Sequence, residues 1–86
     1  MTYRVYRFRD RWEEIGFKHN IYDVFKVIGR DLNPEFDIHY VVIENDGKSD
    51  FPIISINTLQ QYYEEVEKHL GDELTSNKKY VKIKMK

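Results

Sequence analysis

Asp46-Gly47 lies between two runs of β-branched and aromatic residues, Ile38 to Glu44 and Phe51 to Ile56. A type I′ turn needs positive φ at both central residues, which Asp-Gly tolerates, so Asn45-Asp46-Gly47-Lys48 predicts a tight hairpin. The first run is apolar at both parities, with Ile38, Tyr40 and Val42 against Val41 and Ile43, as expected of a central strand. Pro52 cannot donate a ladder hydrogen bond and is expected at the start of its strand or on an exposed edge.

Around this hairpin the patterns are less uniform. Thr2 to Phe8 suits a strand with Tyr6 and Phe8 on one side and Val5, Arg7 and Arg9 on the other, neither side cleanly apolar. Asp10 with Glu13 can form a capping box, which predicts a helical turn over Arg11 to Ile15 closed by Gly16. Ile21 to Ile28 carries two signals. Ile21, Val24, Phe25 and Ile28 fall at helical spacing, with Asn20 as a cap and Gly29 as a stop, yet the segment is rich in β-branched and aromatic residues. Pairing with the strand that follows the loop at 30–35 favours strand, so 21–57 reads as three strands. Asn57 as N-cap and Gln60 then open a helix from Thr58 to Leu70, whose apolar stripe is Leu59, Tyr62, Tyr63, Val66 and Leu70, ending at Gly71. Tyr80 to Lys86 alternates strictly, which predicts a half-buried final strand with Lys82, Lys84 and Lys86 on its outer side.

A chain of 86 residues is expected to form a single domain, 1–86. Alanine is absent, while isoleucine and valine together occur sixteen times and tyrosine seven, a palette that favours pleated surfaces. With no cysteine there is neither a disulfide nor a thiolate metal site, and a cytoplasmic setting is the expectation. The N-terminus alternates apolar and basic residues, unlike a signal peptide, and no run approaches the roughly 20 apolar residues of a membrane span, so no membrane association is expected.

The net charge of −1 conceals a segregation along the chain. Up to Arg30 there are seven basic against four acidic residues; from Asp31 to Thr75 there are two against eleven; five lysines follow. Arg7, Arg9 and Arg11 share one parity of the first strand, as Lys82, Lys84 and Lys86 do in the last. Two such stripes give either an anion-binding face or a sheet whose charges are balanced by acids. Lysine on edge strands also discourages edge-to-edge pairing. Tyr3, Tyr6, Phe8 and Trp12 interleave with Arg4, Arg7, Arg9 and Arg11, the mixture that stacks bases and pairs phosphates. A pI of about 6.3 and the acidic middle oppose a nucleic-acid role.

The residues that carry chemistry are not assembled by spacing. His19, His39 and His69 lack metal-ligand spacing, and Glu64, Glu65 and Glu67 fit the solvated face of a helix. Ser49 and Ser55 have no glycine-framed elbow, and no glycine-rich loop could cradle a phosphate. The expectation is therefore no enzyme, no metal and no cofactor. Trp12, the only tryptophan, is expected in the core or at its rim.

Val27-Ile28-Gly29-Arg30-Asp31, then Tyr40 to Lys48, then Ile54 to Asn57 opening a helix, resembles the small SH3-like barrels of bacterial and phage proteins. The likeness covers about half the chain; the helix exceeds that family's single turn, and strands are added at both ends. It implies a partial barrel and, more weakly, a phage or mobile-element source. The fold expected is α+β: an antiparallel sheet of four to five strands, able to curl into a partial SH3-like barrel, with one helix over about 58–70 packed on it. The function expected is non-catalytic binding, docking onto a larger protein partner or onto a second copy through an exposed strand edge. Exposed aromatics, Trp12, Tyr62 or Tyr63, would anchor it. The alternative is a nucleic-acid-binding module that uses the arginine and lysine stripes.

Overall fold

A computed structural model describes residues 1–76, with side chains through Gly71. The elements run β1 (Thr2–Phe8), β2 (Trp12–Lys18), α1 (Ile21–Asp31), β3 (Tyr40–Asn45), β4 (Asp50–Ile56) and α2 (Leu59–Ser76). The fold is α+β, with one antiparallel sheet in the order β2-β1-β3-β4. Its edges, β2 and β4, do not meet, so the sheet is not closed into a barrel. The expected strand at 80–86, with Lys82, Lys84 and Lys86, lies outside the described residues.

The largest correction concerns Ile21 to Ile28, which is helix and not strand. As a strand, each side would be mixed: Asp23 would share a side with Ile21, Phe25 and Val27, and Lys26 with Val24 and Ile28. As a helix, Val24, Phe25 and Ile28 gather on one buried stripe. Asn20 is the cap, with an extended backbone and its side-chain oxygen accepting from Asp23 N–H at 2.9 Å. Gly29 does not stop the helix, which runs two residues further and closes with Leu32 N–H donating to Ile28 O at 2.8 Å. Its lack of a side chain serves a neighbour instead: the Tyr62 hydroxyl lies 2.8 Å from where a Cβ would stand.

The helical turn expected at Arg11 to Ile15 is instead the start of β2. Only Arg9, Asp10 and Arg11 separate β1 from β2, so the chain returns directly as a hairpin. The Asp46-Gly47 hairpin forms, but not as type I′: Gly47 alone has positive φ, at 97°. Four residues connect the strands, and the Asp46 carboxylate accepts from Lys48 N–H at 2.9 Å and Ser49 N–H at 3.0 Å. Those two donors hold its pKa below the usual carboxylate value. Asn45 and Asp50 clasp the base of the loop through a 2.7 Å hydrogen bond. β3 begins at Tyr40, two residues later than expected. In α2 the cap is Thr58, one residue after the expected Asn57. Its Oγ1 accepts from Gln61 N–H at 3.0 Å and its carbonyl from Tyr62 N–H at 3.1 Å. The helix passes through Gly71 to Ser76.

The registers align the four strands into rows. Gly16, Val5, Val42 and Ile54 form one row, and Glu13, Arg7, Tyr40 and Ile56 the row two residues along. Both point toward the helices, because Val5, Val42, Ile54, Tyr40 and Ile56 join Val24, Phe25 and Ile28 of α1 and Val66 and Leu70 of α2 in one buried cluster. Both helices thus cover the same side of the sheet. Each edge strand carries a bulge, with Ile15 the extra residue of β2 and Ile53 that of β4. Pro52 lies on the β4 edge, as expected.

Gly16 sets how closely α1 approaches. A Cβ there would stand 3.1 and 3.2 Å from the two methyl carbons of Val27, whose branched side chain has little rotameric freedom in a helix. Gly16→Ala is therefore expected to destabilise by about 1 to 2 kcal/mol through overpacking. In urea unfolding, Gly16→Ala with Val27→Ala should be more stable than the sum of the two single changes, because the smaller helix residue vacates the space the new methyl needs.

Candidate functional site

The two sides of the sheet carry different chemistry. On the helix side, Arg7 of β1 sits opposite Tyr40 of β3, and Asp31, the last residue of α1, comes down between them. One Asp31 oxygen accepts from Arg7 Nη1; the other accepts from the Tyr40 hydroxyl at 2.6 Å and lies 3.9 Å from Arg9 Nη2. Arg7 Nη2 also donates to Glu13 Oε1 at 3.2 Å across the β1–β2 ladder. The Arg7 and Asp31 side chains are only 18% and 23% exposed, so these contacts are poorly screened. Arg9 is further engaged over the Phe36 ring, 4.6 Å from its centroid. Burial, and then the bond to Asp31, push the Tyr40 phenol pKa well above its ordinary value. A shallow cavity of about 290 Å³ beside this network is lined by Ile15, Val27, Arg30 and Asp31.

Among the described residues, no helix lies on the outward side. Its rows are Trp12 and Phe8, with His39 alongside; Glu14, Tyr6, Val41 and Ser55; Phe17, Arg4, Ile43 and Pro52; and, at the end, the polar row Thr2, Asn45 and Asp50. His39 precedes β3 and extends the ladder by accepting from Phe8 N–H at 2.9 Å. An antiparallel sheet with a solvated face normally shows polar residues there. This one shows Tyr6, Phe8, Trp12, Phe17, Val41 and Ile43, with Trp12 48% and Phe17 44% exposed. Trp12 is thus not buried as expected, since its position in β2 points away from the helices. Its ring is braced by neighbours, 5.2 Å from Phe8 and 5.0 Å from His39. The Arg4 guanidinium lies 5.6 Å from the Phe17 ring centroid and 4.0 Å from a Glu14 oxygen.

The residues expected to act together are dispersed. Arg7 and Arg9 belong to the Asp31 network, so two arginines of the stripe have an acid beside them; Arg11 is exposed in the β1–β2 turn. Trp12 lies on the open side. Tyr62 and Tyr63 belong to α2 in the helical layer. Tyr62 is half-buried, donating to Phe25 O at 3.3 Å, and Tyr63 is exposed beside it. Sequence reasoning missed Phe17, Val41, Ile43 and His39 as members of an exposed face. The available signal was that neither side of the first strand is cleanly apolar, because one side meets the helices and the other is apolar without them. Among the described residues, no group of three His, Cys, Asp or Glu side chains could hold a metal ion, and no helix is long and apolar enough to cross a membrane.

Asp31→Ala removes the acceptor of Tyr40 and the shared counter-charge of Arg7 and Arg9. It is expected to cost about 2 to 3 kcal/mol in urea unfolding, and Asp31→Asn about half as much, since an amide oxygen still accepts from Tyr40. Because the folded Tyr40 pKa is raised, its stabilisation is complete below the unfolded value near pH 10 and is lost as pH rises toward the folded one. Alkaline unfolding followed by tyrosinate absorbance should show that loss, and Tyr40→Phe should flatten it. No family model, curated protein or solved structure matches the chain.

Proposed function

We propose that the protein is a small non-catalytic binding protein that docks onto a larger protein partner through the open side of its sheet. The observation that carries this reading is the run of half-exposed aromatic and aliphatic side chains where a solvated sheet would be polar. Tryptophan, tyrosine and arginine are the residue types that dominate binding energy at protein interfaces, and Trp12, Tyr6 and Arg4 supply all three on one face. The edges are poorer surfaces for pairing: each is bent by a bulge, β4 carries Pro52, and β2 carries Glu13 and Glu14. Docking therefore uses the face and not the strand edge. The cysteine-free composition supports a cytoplasmic setting.

A nucleic-acid role has one observation in its favour: Arg4 lies over Phe17 on a sheet face that also carries Tyr6, Phe8 and Trp12. Arg4 has Glu14 beside it, and Arg7 and Arg9 are held by Asp31. On this face, among the described residues, little free positive charge remains to neutralise a phosphate backbone.

Photo-crosslinking residues at positions 6 and 17 should give defined protein adducts in cell extract, and one at position 26, on the outer side of α1, should not. Equal labelling from all three positions would sink the docking reading. Titration with single-stranded DNA and RNA at low salt should show no binding. Affinity that falls steeply with salt would favour the nucleic-acid reading instead.

A further inference from the structure

Resting on the reading of the open face as a docking surface, we propose that a second copy of this chain closes that face, forming a reversible two-fold dimer. The argument is the arrangement of charge. In the outward rows from Trp12 to Pro52 the only acid is Glu14 and the only base is Arg4. They occupy opposite corners of a block of four: Arg4 is paired with Phe17, and Tyr6 with Glu14. Within one chain they meet only loosely, at 4.0 Å, with side chains 53% and 44% exposed.

A two-fold axis lying in the plane of the face, along the diagonal from Tyr6 to Phe17, exchanges the other two corners. Arg4 of each copy then faces Glu14 of the other, twice over, and the Tyr6 and Phe17 rings stack on their own symmetry mates. Of the remaining outward positions only Asp50 carries a charge; it stands at the far corner of β4, away from the axis, and the others set no charge against a like charge. An axis on this diagonal crosses the strands of the two sheets steeply, which is the orthogonal class of sheet packing. A self-complementary patch of this kind is what a closed two-fold interface requires. Around Arg4 and Glu14 a partner of either net charge finds no net field to complement.

The face is small. Four strands spaced by about 4.8 Å and seven residues rising about 3.3 Å each give roughly 19 by 23 Å. That footprint falls at the low end for specific interfaces, so the pair should be reversible with a dissociation constant in the micromolar range. The dimer hides the docking surface, and partner binding must compete with it.

Sedimentation at low salt from micromolar to millimolar concentration should show the mass rising from 10.5 kDa toward twice that value. Arg4→Glu and Glu14→Arg, each alone, should weaken the dimer at least about tenfold by placing like charges together. The double variant should restore it to within about threefold, and circular dichroism should be unchanged in all three. A wild-type chain that stays monomeric throughout, or a dimer indifferent to both single changes, would overturn the proposal. A monomer that still gives protein adducts from positions 6 and 17 would reject the dimer alone. A dimer whose adducts from those positions join only two copies of the chain would reject docking onto a larger partner alone.

Discussion

Alternation along β1 is the constraint from which both surfaces follow. Val5 is fully buried beneath the helices, so Arg7 must point to the same side, and Arg4, Tyr6 and Phe8 to the other. The chain has two helices among its described residues, and both lie on the Val5 side. A single-residue slip in the β1–β3 register would exchange the two sets, burying Arg4 and Tyr6 and exposing Val5. The cluster around Val5, Val42 and Ile54 fixes the register, and the outward aromatic face is its unavoidable complement.

The same alternation decides where charge acts. Along the sequence the first thirty residues are basic, but sequence neighbours are not spatial neighbours. Arg7 meets Glu13 across a hairpin and Asp31 at the end of α1, and Arg4 meets Glu14 on the opposite side. Asp31 is the first residue of the acidic tract, and helix α1 returns it to the strand that carries the arginines. Part of the segregation visible in the chain is thereby offset in the fold, among the described residues.

The sheet was legible where local chemistry and tertiary packing agree. The β3–β4 hairpin and the amphipathic α2 each carry their own signals, and both form close to the expected positions. Ile21 to Ile28 failed because β-branched composition and helical spacing disagreed, and packing against the sheet resolved the conflict in favour of spacing. Arg11 to Ile15 failed differently. Asp10 and Glu13 satisfied a capping pattern, but the three-residue return from β1 left no room for a helical turn. The candidate site was legible only in part, since Trp12 could be singled out by residue type whereas Phe17, Val41 and Ile43 become a face only once strand order is known. Order is a long-range property that no local spacing encodes.

One consequence of the strand order concerns the direction from which a partner can approach. The central strands β1 and β3 have both their edges satisfied, and the outer strands β2 and β4 are each bent by a bulge. A partner that extended the sheet would have to match a kinked ladder, and at β4 a missing donor at Pro52. A partner that lies across the outward rows meets no backbone requirement. It needs only shape and apolar area, with Arg4 and Glu14 setting the orientation. The geometry that makes the edges poor templates thus favours the proposed docking across the face, where Trp12 is braced by Phe8 and His39 and little side-chain freedom remains to be lost on contact.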